Sequence, residues 1–334
     1  MFPLSIRTRS LLMISACAVT ALGGCSWYGF GDTKKDEMTQ ELSEHARRSE
    51  EAGDLVEATD SLAKIAKIDQ ADVAARLELA RLHRERGQID EAIKSLREVV
   101  SLTPDDTRAW FELGELYYEK GNYHHAEASL DASLQLDPRN IKALMIKAEI
   151  EEQRRFESQA LEYYYRVLAI EENYPPALLG IARIHMRNEE PVRASILLRS
   201  VCYCRGAAPA QIAEARWLLG IAYGQEHRWE ESVESLKIAT EIMDPPGAED
   251  LYYLAYAQYQ AGNDLEATKT INLLLQQYPA HRPTLALAQA VKQRQTELTG
   301  EYRQVSATVS MTPPPPKGWE NLRGEVRLSD RSGS

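Results

Sequence analysis

The most reactive-looking string in the chain is Cys202-Tyr203-Cys204. Two thiols one residue apart could pair, respond to an oxidant or contribute to a zinc site. On a helix they diverge around the axis, which disfavours an unstrained bridge. Zinc would need two further ligands that the neighbouring sequence does not offer, and a simply packed Cys202 makes the fewest demands. His124, His125 and Glu127 form the other metal-like cluster. Adjacent helical residues point about 100° apart and cannot share one ion in ordinary geometry. The chain contains no P-loop, H-E-x-x-H, G-x-S-x-G or dinucleotide-type glycine pattern. The sequence therefore predicts no catalytic residues, no metal site and no cofactor, and reads as a non-enzyme.

Composition says what kind of body carries these residues. Of 334 residues, 44% are hydrophobic and 27% charged, and the mean hydropathy is -0.42, values of a soluble chain with a packed core. The formal net charge of -11 and pI of about 5.3 lack the basic footprint that tracks phosphate, so nucleic acid is not an expected partner.

The first 30 residues differ. Arg7 and Arg9 precede an apolar run from Leu11 to Leu22 that is too short to span a bilayer as a helix but has the length of a signal-peptide core. It ends in Leu22-Gly23-Gly24-Cys25, which resembles the lipobox of bacterial lipoproteins. That resemblance implies a signal peptide over 1–24 and lipid on Cys25, leaving a tether over 25–38. Acyl chains hold a protein on a membrane because each buried methylene contributes about 0.8 kcal/mol. Trp27, Tyr28 and Phe30 could lie at the membrane interface, or serve only as spacer. Cys17 falls in the removed segment, so no disulfide framework is expected.

The rest of the chain repeats itself. Ala58, Ala92, Ala126, Ala160 and Ala194 are each 34 residues apart, and the column continues at Ser232 and Ala267. Ala46, Ala80, Gly114, Ala148, Ala182, Gly220 and Ala255 form a second column, and Leu62, Leu96, Leu130, Tyr164, Leu198, Leu236 and Ile271 a third. Small residues let two antiparallel helices approach closely, and the large apolar residue fills the space between neighbouring pairs. Gly53, Gly87, Gly121 and Gly262 precede the alanine column by five residues, where a reversal between helices favours a residue without a side chain. Pro104, Pro138 and Pro279 close units.

Residues 107–140 carry Trp110, Leu113, Gly114, Tyr117, Gly121, Tyr123, Ala126, Leu130 and Pro138. This pattern is similar to the tetratricopeptide-repeat consensus. The resemblance implies an all-α, right-handed tetratricopeptide α-solenoid over 39–300, of about seven helical hairpins with a C-terminal capping helix from about Pro283 to Leu298. Units start near Thr39, Val73, Thr107, Ile141, Pro175, Ala213 and Ala248. His45 and Lys147 stand where leucine is expected, and His83 and His185 occupy a tyrosine column, as packed imidazoles. The fifth unit is four residues longer, with a loop expected around Cys204–Pro209. Residues 301–334, with the Pro313–Pro316 run, read as a disordered proline-rich tail.

In this family the first helix of each hairpin lines a concave groove. Counting from each unit start, the resemblance assigns partner binding to Arg81 and Arg84, to Phe111 and Tyr118, and to Met145. It continues with Arg183, Met186 and Arg187, then Trp217, then Tyr252, Tyr256 and Tyr259. Leu77, Glu115, Glu149, Glu152, Leu179 and Ile221 share the register. Trp, Tyr, Arg and Met are enriched at interface centres, although the i, i+4, i+7 spacing of the three tyrosines is also that of a core stripe. The Lys and Asn pattern of carboxylate-clamp repeats is absent. The expected function is a membrane-anchored scaffold or assembly factor holding an extended segment or helix of a protein partner. It would face the periplasm from the bacterial envelope, the outer membrane favoured over the inner, like lipidated repeat proteins of pilus, secretion and envelope-assembly machines. The alternatives are a docking or regulatory subunit of an envelope enzyme and a homo-oligomeric structural lipoprotein.

Overall fold

The computed structural model describes residues 30–243 and 245–299 together with Pro313, Pro315 and Pro316. The signal segment, Cys25, Trp27 and Tyr28 lie outside the described residues, as does most of the tail read as disordered. Among the described residues there are fifteen helices and no strand, and none is long and apolar enough to cross a membrane. The chain is an all-α tetratricopeptide solenoid made of two compact units that divide after Pro104.

The first unit contains α1 (Phe30–Glu51), α2 (Leu55–Ile68), α3 (Val73–Glu85) and α4 (Ile89–Leu102). The second begins with α5 (Thr107–Glu119), α6 (Tyr123–Leu136), α7 (Ile141–Gln153), α8 (Glu157–Ile170) and α9 (Pro175–Arg187). It continues with α10 (Pro191–Cys202), α11 (Pro209–Gln225), α12 (Trp229–Ile242), α13 (Ala248–Gln260), α14 (Asp264–Gln277) and α15 (Arg282–Thr299). Odd-numbered helices up to α13 open the seven hairpins, and α15 caps the last. Its Leu287 and Val291 pack on Tyr252, Tyr256 and Ile271.

The 34-residue period has a local cause at each end of each helix. Seven identical reversals join the helices of a hairpin. At the first, the Gly53 N–H donates to the Glu50 carbonyl at 2.8 Å and the Asp54 N–H to that of Ser49 at 2.8 Å. This pair of bonds satisfies the last free carbonyls of a helix and places the middle residue in the left-handed region. Glycine serves at 53, 87, 121 and 262, but Arg155, Glu189 and His227 take the same conformation with φ of 65°, 59° and 58°. The link between hairpins ends in a cap: Asp72, Asp106 and Asn140 each accept from the backbone N–H three residues on, at 2.9, 3.0 and 3.1 Å, a substitution-sensitive contact of about 1 kcal/mol.

Between these punctuation marks the three columns pack as their sizes require. The alanine column is fully buried from Ala58 through Ala267, and Ser232 fits by donating its hydroxyl to the Gly220 carbonyl at 2.7 Å. A Cβ on Gly114 would meet Leu130 at 2.8 Å, and one on Gly220 would meet Leu236 at 2.5 Å. Close approach at these glycines lets each column leucine be buried, worth roughly 1.5–3 kcal/mol apiece.

Two boundaries differ from the sequence reading. Helix α1 reaches back to Phe30, so helix extends into residues read as tether. The loop expected around Cys204–Pro209 is present as the link between Cys202 of α10 and Pro209 of α11, but the insertion also lengthens the next helix: α11 has 17 residues where α9 and α13 have 13. Pro209 opens that added turn as a first-turn proline, where its missing N–H costs nothing. Lys147, in place of leucine, is buried; it pairs with Asp131 and lies 5.2 Å from the Tyr163 ring centre.

Candidate functional site

The partner-binding residues expected from the sequence lie on the first helices of successive hairpins, and the structure links those helices by a recurring polar spacing. In the first unit Arg81 of α3 donates to Glu50 of α1 at 2.5 Å, to Glu85 at 2.6 Å, and also to Glu78. In the second unit Tyr118 Oη of α5 donates to Glu149 of α7 at 3.0 Å. Arg183 of α9 pairs with Glu152 of α7 at 3.4 Å and with Glu214 of α11 at 2.8 Å. Each of these inter-helix bonds joins residues 31 apart in sequence. Across a 34-residue unit that is one repeat forward and one three-residue step back on the helix; across the longer fifth unit, from Arg183 to Glu214, the step back is two helical turns, and either step keeps the two side chains on one face.

Glu152 is the hub. Besides Arg183 it receives Arg187 at 2.7 Å and the Tyr164 hydroxyl at 2.7 Å, while Arg187 also reaches Glu157 at 3.4 Å. Burial alone would raise the Glu152 carboxyl, but Arg183 and Arg187 outweigh it and hold the group below the ordinary carboxylate range. Its neighbour Glu149 goes the other way: burial raises it more than the Tyr118 hydrogen bond lowers it. Burial likewise pushes the phenols of Tyr118, Tyr164, Tyr252 and Tyr253 above their usual range, so all four stay neutral donors.

Arg183 and Arg187 are thus first of all ion-pair partners within the chain. Arg187 Nη2 nevertheless has no acceptor although it is buried, and the same holds for Trp217 Nε1. A buried donor left unpaired costs about 1–3 kcal/mol. Arg84 is half-buried and partnered. Phe111 and Tyr118 are half-buried, whereas Met145, Met186, Trp217, Tyr252 and Tyr256 are buried. Trp217 meets Tyr253 edge-on at 5.4 Å, and Tyr252 and Tyr256 are 6.4 Å apart. Tyr259 lies under the Arg294 guanidinium of α15, 3.8 Å from the ring centre.

Glu214 and Tyr253 on the first helices, and Tyr164 and Glu157 reaching Glu152 and Arg187 from α8, were not singled out as site residues in the sequence. Tyr164 was read only as a packing residue. Glu214 could have been found by spacing, since Glu152, Arg183 and Glu214 follow one another at intervals of 31. The other chemistry-bearing clusters are packed apart from this face. His125 Nδ1 bonds to Asn122 at 2.9 Å and its ring stacks at 5.0 Å from Tyr117. His83 and His185 bond across their turns to Gln88 at 2.8 Å and Glu190 at 2.7 Å. Cys202 and Cys204 are free thiols, the first raised by burial, and Cys204 Sγ lies 3.6 Å from the Asn173 carbonyl. Among the described residues no group of three or more His, Cys, Asp and Glu is placed to hold an ion. The face offers aromatic and aliphatic contact, neutral phenols and two unspent donors, which are means of recognition.

Comparison with known proteins agrees with this geometry. One tetratricopeptide-repeat family model matches residues 77–141 and 117–177, and a second matches residues 251–281. No functionally curated sequence matches the chain. Among solved structures, a tetratricopeptide-repeat protein from Parabacteroides merdae superposes with a TM-score of 0.54 at 16% identity, over 77% of this chain and 99% of its own. The Pseudomonas aeruginosa pilF structure gives 0.52 at 17% identity, over 68% of this chain and 99% of its own. At such identities the likeness is one of fold. The chain carries tetratricopeptide repeats, arranged as in the solved proteins of that fold.

Proposed function

We propose that this protein is a membrane-anchored scaffold that binds a segment of a protein partner along the first-helix face of its hairpins. The observation that carries the reading is the pair of unspent donors on the first helices α9 and α11: Trp217 Nε1, in the register of Phe111, and Arg187 Nη2, one residue beyond the register of Tyr118. A partner's backbone carbonyl or carboxylate would satisfy them while its side chains cover the aromatic rings. Anchoring rests on the Arg7, Arg9, Leu11–Leu22 and Leu22-Gly23-Gly24-Cys25 pattern, with lipid on Cys25 and the repeats in the periplasm, at the outer membrane. An assembly role in the envelope is the reading that joins anchor and face.

Two linked measurements test it. Metabolic labelling with a radioactive fatty acid is expected to mark the wild type and not Cys25→Ala. Affinity capture from the membranes of its own cells is expected to recover a defined partner with the wild type, and at least tenfold less with Phe111→Ala/Tyr118→Ala when that variant melts cooperatively. Equal recovery by both chains would remove the face from the account.

A further inference from the structure

The first-helix face is not uniformly open. In α5 the register residues Phe111, Glu115 and Tyr118 are half-buried. At the same register Trp217 and Ile221 in α11, and Tyr252 and Tyr256 in α13, are 8%, 0%, 1% and 7% exposed. The change goes beyond those positions: Trp217–Gly224 and Asp250–Gln258 are unbroken runs of buried residues. A run of more than two helical turns points in every direction around the axis, so α11 and α13 are covered on all sides; α15 accounts for part of this on α13, through Leu287 and Val291 beside Tyr252 and Tyr256, but no residue of α15 joins the cluster that holds Trp217, Ile221 and Tyr253. None of Tyr252, Tyr253 and Tyr256 lacks a partner.

A second observation identifies a cover. Beyond α15 the described residues are prolines, and Pro313 and Pro316 are buried while Pro315 is half-buried. Proline runs adopt the polyproline II helix, which has three residues per turn, so positions 313 and 316 lie on one face and 315 does not. That is the burial pattern of such a helix laid against a surface. The reach is sufficient. Fourteen steps from Thr299 to Pro313 span roughly 45 Å when extended, more than twice the roughly 20 Å length of a 13-residue helix. The chemistry matches too, because proline-rich segments dock in grooves lined with aromatic rings, and α11 and α13 present Trp217, Tyr252, Tyr253 and Tyr256.

We infer that the Pro313–Pro316 run occupies the α11–α13 face as a polyproline II segment, and that this face is a binding site for proline-rich segments which the chain fills with its own tail. The inference rests on the first-helix face being the binding surface and names the class of ligand for its C-terminal end. A tethered ligand acts at an effective concentration in the millimolar range, so a partner's proline-rich segment must displace the tail, and the tail sets the threshold for capture.

Hydroxyl-radical footprinting of the full chain, read by mass spectrometry at the α13 tyrosines, tests this against Pro313→Asp/Pro316→Asp. With a melting temperature within a few degrees of wild type, the variant is expected to show several-fold greater oxidation of Tyr253 and Tyr256. An excess of a synthetic peptide covering residues 309–320 restores wild-type protection, and the same peptide carrying both aspartates does not. Equal oxidation in the two chains overturns the inference, as does a rise that the proline peptide fails to reverse. Either result leaves partner binding at Phe111 and Tyr118 untouched, because that reading fails only if capture is unaffected by their substitution.

Discussion

Glu152 gathers the second unit's polar contacts on the first-helix face, accepting from Arg183, Arg187 and Tyr164 together. Removing one member of a buried pair costs more than the pair contributes, because the partners are left uncompensated. Glu152→Gln keeps the shape and loses the charge, and is expected to destabilise the second unit by about 2 kcal/mol in urea unfolding at neutral pH. The sign with pH follows from its depressed pKa. A group that ionises more easily folded than unfolded stabilises above its unfolded value, and that contribution vanishes as the pH falls through the folded one. The gap between wild type and variant should therefore close on acidification below the carboxylate range. A gap that persists there would mean that packing, and not charge, carries the effect. A second residue-scale prediction concerns the turns. Glu189 is exposed and holds a φ of 59° where four other units use glycine. Glu189→Gly should stabilise by about 1 kcal/mol, read as an increased urea midpoint with an unchanged slope.

At the scale of elements, the helices were legible because their signals are local. Turn glycines, capping Asp and Asn residues, and the alanine and leucine columns fix where each helix starts, stops and touches its neighbour. What local pattern could not show is how departures compensate one another across hairpins. Tyr164 is the one aromatic residue in a column of leucines and isoleucine, and Gly180 faces it: a Cβ there would lie 2.2 Å from Tyr164 Cζ. The other units carry Glu44, Glu78, Glu112, Ile146, Leu218 and Tyr253 at the Gly180 position, so the glycine exists for the tyrosine. Gly180→Ala should cost about 1–3 kcal/mol by overpacking, and less in a Tyr164→Leu background. Additive costs in the double-mutant cycle would show that the two residues do not share that space. The first turn of α11, ahead of the unit start read at Ala213, went unrecognised as helix for a related reason. Pro209 reads as a loop signal until the residues after it are known to continue as helix.

At the scale of the whole molecule, the repeats announce a family of binding proteins and say little about the ligand. The register placed these positions on the first helices of the hairpins, yet it could not separate half-open Phe111 and Tyr118 from buried Trp217, Tyr252 and Tyr256. That distinction depends on what covers the helices, which a 34-residue period does not encode. The same limit applies to the arginines, whose partners lie 31 residues away on the next hairpin and are visible only once the helices are aligned. The central claim, that the first-helix face takes the partner, is tested most directly by placing a photo-crosslinking benzoyl-phenylalanine at position 111. A control position is Val192 on α10, which is 59% exposed. Irradiation of intact cells is expected to give a discrete adduct from position 111 and none from position 192. No adduct from position 111, or an adduct from position 192 alone, would contradict the account.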